Sequence, residues 1–210
     1  MKSMRQRGFT LVELAIVLVI IGLILGMAFK GKDLIDGAKV KSLQAQYNKI
    51  IAATNIFYER YGFYPGDGCT QVNPATVADC MQGGGGFNAA ARNGRLTGNE
   101  QQAFWVLLID RTGILQSTDR RSVFGQDWGI WDGTLQAGGA AGLAGSWLDL
   151  PGVPQSDPRI VCSADRLMDD GVWNTGKMRT NGDPVALNYN NNTDCWALSG
   201  QSNFHLLLLP

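Results

Sequence analysis

An α+β fold, a long N-terminal helix followed by a small antiparallel-sheet head, is predicted by three features of this sequence. Leu14 to Phe29 contains no charged residue and is mostly Ile, Leu and Val. From Val40 to Tyr61 apolar residues then recur at steps of three and four. Beyond Gly62 the chain becomes rich in glycine, with short apolar stretches between turn residues.

The first feature reads as a membrane segment. A helix from Phe9 to Phe29 rises about 30 Å, the thickness of a hydrocarbon core. Glu13 is the anomaly within it, because a carboxylate at that depth costs roughly 2.5–3.5 kcal/mol and needs a partner or a task. Cutting the chain after Gly8 supplies the partner. The new ammonium group on Phe9 lies one helical turn from Glu13, and between identical chains the two neutralise each other in lipid. Two plainer readings compete, an ordinary secretory signal cut near Gly26-Met27-Ala28 and a single-pass anchor. Neither gives Glu13 a purpose. Orientation is not fixed by charge, since Lys and Arg flank the run on both sides.

Arg7-Gly8-Phe9-Thr10-Leu11-Val12-Glu13-Leu14, after a short leader carrying Lys2 and Arg5, resembles the class III signal of type IV pilins and pseudopilins. The resemblance implies cleavage after Gly8 by a prepilin peptidase, N-methylation of Phe9, delivery through an inner-membrane assembly platform, and a fibre of this chain or of several pilins. It also implies a head in the periplasm before assembly, and then an extracellular pilus or a periplasmic pseudopilus. Gly22 stands where many pilins have a helix-loosening glycine. Lys30 stands where many major pilins carry proline, a departure that leaves a minor pilin or a pseudopilin open.

The amphipathic stripe is Val40, Leu43, Tyr47, Ile50, Thr54, Phe57 and Tyr61, widened by Ile51 and Tyr58. No proline interrupts Phe9 to Arg60, so one continuous helix of about 50 residues is expected, with Gly31 and Gly37 as its weak points. Four regions follow: a leader over 1–8, an apolar half-helix over 9–29, an amphipathic half over 30–61, and a globular head over 62–210. Tyr61-Gly62-Phe63-Tyr64-Pro65 reads as the helix stop and a turn. It too resembles the aromatic-Pro segment that follows the long helix in many pilin-like proteins.

Cys69 to Thr97 reads as a long connection, with Gly83 to Gly86 its most flexible point. Thr97-Gly98-Asn99-Glu100 has capping-box spacing and opens a helix to Asp110, closed by Thr112-Gly113. From Val123 to Leu150, Trp128, Trp131 and Trp147 alternate with Gly, Asp and Ala, which fits short strands with the indoles in the core. A sugar-binding platform of exposed tryptophans is the functional alternative. Ala186 to Tyr189 and Trp196 to Leu198 are expected as closing strands around an Asn-rich turn, and Phe204 to Leu209 as a terminal strand.

All four cysteines lie beyond the apolar run, and with an export signal an even number suggests two bridges in an oxidising compartment. Three pairings are formally possible. Cys69 with Cys80 and Cys162 with Cys195 is preferred, because each closes a local loop. The second also resembles the bridge that brackets the C-terminal region of pilins.

Formal net charge is zero, with 18 basic and 18 acidic residues and no basic stripe, so nothing points to nucleic acid. The single histidine, His205, sits beside Leu206 to Leu209, and no nucleophile elbow is present. No catalytic residue and no cofactor are expected. Asp165, Asp169 and Asp170 are weak calcium candidates, because their spacing is not that of an EF-hand and a turn explains them as well. The function expected is therefore a structural subunit of a type IV pilus-like fibre. A type II secretion pseudopilin is the alternative within that class. A membrane-anchored carbohydrate-binding protein that never polymerises is the alternative from another.

Overall fold

The computed structural model describes residues 9–80, 92–135, 142–150, 156–180 and 188–210. Gly8, Gly83 to Gly86 and Ala186 lie outside them. The chain divides into two compact units, Met1–Ala38 and Lys39–Pro210.

Helix α1 spans Leu11–Tyr61 without a break, through Gly31, Gly37 and Lys30 alike. From Phe9 to Met27 its apolar side chains are exposed. From Lys39 onward it is a component of the head. Val40, Leu43, Ile50, Thr54 and Phe57 are buried as the periodicity requires, together with Ala53, while Tyr58 faces outward. Tyr47 donates from its hydroxyl to the Leu207 carbonyl at 2.7 Å, tying this half of α1 to the last strand. Burial pushes the Tyr47 phenol up to about 12, so it remains a donor throughout the neutral range. The helix stops where Gly62 enters the left-handed region at φ 78° and returns its N–H to the Tyr58 carbonyl.

Among its described residues the head contains one four-stranded antiparallel sheet and two further α-helices. Strands β1 (Gly129–Leu135) and β2 (Leu143–Asp149) form a hairpin, β3 is Met178–Thr180 and β4 is Phe204–Leu209, in the order β1-β2-β4-β3. Helix α2 (Asn99–Trp105) passes directly into a π-helical turn, Val106–Arg111. Helix α3 (Pro158–Met168) begins with Asp157 as N-cap, accepting from the Arg159 N–H at 3.0 Å, and with proline in its first turn. Trp128 is fully buried in one core with Phe57, Phe104, Leu108, Leu148 and Phe204, and Trp147 of β2 is fully buried as well.

Glu100 holds the connection to the sheet in place. One oxygen accepts from the Thr97 N–H at 2.7 Å, half of the expected capping box, and the other from the Gly68 N–H at 2.7 Å. Gly66 lies so close to α2 that a Cβ there would collide with the backbone of Glu100 and Phe104. The next segment is fastened by Arg95, whose guanidinium makes a bidentate pair with Asp132 of β1 at 2.9 Å, and by the Leu96 N–H on Ser146 of β2 at 2.8 Å.

Two expectations change. The helix expected over Glu100 to Asp110 exists, but its second half is wound with wider turns, the Thr112 N–H reaching back five residues to Leu107. No strand forms at Tyr189 or over Trp196 to Leu198. Cys195–Ala197 is instead a 3₁₀ turn capped by Asp194, which accepts from the Trp196 N–H at 3.0 Å. Bonding of Cys195 to α3 and the Asp194 cap together outweigh the short apolar pattern that suggested a strand.

Cys69 is bonded to Cys80 and Cys162 to Cys195, so both preferred pairings are present. They close loops with separations of 11 and 33 residues. On chain entropy, losing the longer loop costs about 3–4 kcal/mol and the shorter about 3 kcal/mol. The double variant Cys162→Ser, Cys195→Ser should therefore lower the urea midpoint of the head more than Cys69→Ser, Cys80→Ser does. The reverse order would mean that native packing, not loop closure, sets the difference.

Candidate processing and assembly site

At the start of α1 the residues around the expected cleavage point form a closed local unit. Thr10 precedes the first helical residue, and its carbonyl accepts the first helical bond, from the Leu14 N–H at 3.3 Å. The Glu13 carboxylate turns back so that Oε2 accepts from both the Thr10 N–H and the Thr10 hydroxyl, each at 2.8 Å. The Glu13 N–H donates in return to the Thr10 hydroxyl at 3.3 Å. This is a capping box, and it satisfies two backbone donors that a helix start otherwise leaves open. Phe9, one residue earlier, is 80% exposed.

The structure thus joins Glu13 to Thr10, a residue that sequence reasoning passed over although the Thr-x-x-Glu spacing was visible. The carboxylate also lies where the helix dipole favours negative charge. Both of these are intrachain interactions. In addition, Glu13 borders a surface on which Leu14, Ile16, Val17, Leu18, Val19, Ile20 and Ile21 are all exposed. By length and composition α1 is able to cross a membrane.

The weak calcium candidates are brought together, with carboxylate oxygens of Asp165, Asp169 and Asp170 within 4.8 Å of one another. Most of those oxygens already bind the turn that follows α3. Asp165 accepts from the Gly171 N–H at 3.3 Å, and Asp169 from the Met178 N–H at 2.8 Å and from the Lys177 N–H. Asp170 accepts from the Val172 N–H at 2.9 Å and from the Thr175 hydroxyl. The cluster braces residues 169–178 ahead of β3. Asp165 is fully buried. Desolvation pushes its carboxyl up to about 7, the Tyr189 hydroxyl opposes that, and the charges of Asp169 and Asp170 reinforce it.

His205 on β4 packs against the Trp131 ring at 5.5 Å and is half-buried; burial pushes it down to about 4, so it is neutral at neutral pH. Complete burial of Trp128 and Trp147 leaves neither a face for a sugar.

The sign of the Asp165 effect is definite. A carboxyl raised in the folded state favours folding when protonated. Its contribution is complete below about pH 4 and is lost as pH rises through about 7. Asp165→Asn should stabilise the head at pH 8 by on the order of 2–4 kcal/mol and flatten its stability profile between pH 4 and 7. Wild type stabilised by added calcium at pH 8, with the variant unaffected, would instead assign the cluster to the metal.

Residues 3–29 match the family model for the prokaryotic N-terminal methylation motif, the type IV prepilin-like signal. Such a signal implies processing by a peptidase and supports a pilin-like or pseudopilin subunit; together with the apolar helix it fits membrane anchoring. No curated protein and no solved structure matches the chain.

Proposed function

We propose, from a methylation signal that opens directly onto an exposed apolar helix, that this chain is a structural subunit of a type IV pilus-like fibre and not an enzyme. The observation that carries this is Glu13. It is the single charge between Phe9 and Phe29, and it stands within one turn of the ammonium that cleavage after Gly8 creates. A prepilin peptidase cuts at that bond and Phe9 is methylated. The subunit waits in the inner membrane with its head in the periplasm until the assembly platform draws it into the fibre.

Assembly exchanges lipid around Leu14 to Met27 for the same surface of neighbouring subunits. Apolar contact alone tolerates many axial offsets. The Glu13 carboxylate on the neighbour's Phe9 ammonium favours one, because every other offset leaves a charge unpaired in a dry environment. In this reading the Thr10 capping box is the resting arrangement before assembly, and the neighbour's ammonium either joins the carboxylate or replaces Thr10 on it. Lys30, where major pilins often carry proline, and the unbroken α1 support a minor pilin. A type II secretion pseudopilin shares all of these features, and gene neighbours encoding pilus or secretion machinery separate the two.

Two substitutions separate assembly from capping. Glu13→Ala should reduce incorporation into sheared fibres at least tenfold with membrane insertion unchanged. Thr10→Ala removes the carboxylate's local partner at a cost of about 0.5–2 kcal/mol at the helix end and should still assemble. Equal loss in both variants would assign Glu13 to capping alone. Intact mass of the native protein should correspond to a chain beginning at N-methylated Phe9, and a start at Met1 would remove the processing step and the fibre with it.

A further inference from the structure

The π-helical turn forms one wall of an open groove of about 440 Å³ in the Lys39–Pro210 unit, a volume within the range of small-molecule sites. Single wide turns of this kind recur at functional sites. The groove is bordered by Gln102 and Trp105 of α2, Ile109 and Asp110 of the wide turn, Arg120, and Asp127 before β1. Trp105 is 3% exposed, and its indole N–H has no acceptor among the described residues. An unpaired buried donor ordinarily costs about 1–3 kcal/mol, which an acceptor from a ligand would relieve. The Arg120 guanidinium lies over the Trp105 ring at 5.2 Å and is steadied by its Nε donating to the Trp128 carbonyl at 2.9 Å. Gln102, Asp110 and Asp127 are exposed at the rim.

The chemistry of these walls narrows the ligand. Arg121 pairs with Asp127 at 3.3 Å, so the remaining charges of the groove, Asp110 and Arg120, balance and favour a neutral ligand. The groove is lined by both donors (Trp105, Arg120, Gln102) and acceptors (Asp110, Gln102), so a ligand that both donates and accepts suits it. The ligand must also lay an apolar edge on Ile109. Hydroxyl groups on a ring do both, each as donor and acceptor, with C–H faces between them. We infer that this groove is a binding site for a neutral carbohydrate. The site is separate from the processing signal, and the buried Trp128 and Trp147 play no part in it.

The test uses the full chain in a detergent without a sugar headgroup, labelled with ¹⁵N at the tryptophan indoles. The Trp105 resonance is assigned through Trp105→Phe. Cellobiose, maltose, lactose and diacetylchitobiose are titrated to millimolar concentration. At least one should shift the Trp105 indole resonance with saturation, while Trp128 is unmoved. Gln102→Ala and Asp110→Ala alter exposed side chains, so the fold is retained, and each should weaken that response about tenfold, the effect of one lost polar contact. No shift with any of the four sugars overturns the site, as does a shift that persists unchanged in both variants. A response to lysine methyl ester with none to sugar overturns the ligand class.

Discussion

The constraint on which the rest depends is the apolar surface from Phe9 to Met27. Fourteen large apolar side chains there are exposed. At about 1.5–3 kcal/mol each, keeping them in water costs on the order of 20–40 kcal/mol. That exceeds the net stability of an ordinary domain, about 5–15 kcal/mol. The segment is therefore compatible only with lipid or with other helices, and one feature serves both environments. A membrane segment and a fibre core need the same side chains. In the proposed fibre the two environments differ at Glu13, which is a burden in lipid and would mark register between subunits.

The head solves a different problem, with specific hydrogen bonds between segments distant in sequence. Tyr47 on Leu207, Glu100 on Gly68 and Arg95 on Asp132 each connect segments distant in sequence, and each is a specific hydrogen bond added to a core of ordinary composition. Glu100 shows how much one residue organises. It starts α2 through Thr97 and simultaneously fixes the turn after α1, where Gly66 permits the close approach. Together with the two bridges, these ties compensate for a glycine-rich chain that has little regular structure to rely on.

What was legible in the sequence was local. The signal, the stripe from Val40 to Tyr61, the helix stop at Gly62, the terminal strand and both disulfides followed from spacing or from residue type at a single place. The wide turn after Trp105 was not legible, because α and π windings of so short a segment as Val106–Arg111 differ by one residue in the span of each hydrogen bond, and its apolar residues suit either. The absent strand at Trp196 failed for a different reason, since Asp194 and the bond from Cys195 to α3 act on a segment whose own pattern is weak. At the candidate site Glu13 stood out because it violates its surroundings. Thr10 did not, because a threonine before a helix is ordinary, and only the geometry shows that the two side chains form a pair. The groove beside Trp105 joins α2, the wide turn and the approach to β1, so no single stretch of sequence announces it.

The strand order β1-β2-β4-β3 places the strand latest in the chain between two earlier ones. Neither β2 nor β3 gains its inner neighbour until residues 204–209 are available, whereas α1 is the first element to be synthesised. If the head is exported as proposed, this order gives biogenesis a direction: the helix can engage a bilayer while the head is still an open chain. The sheet closes last, once residues 204–209 pair with both neighbours.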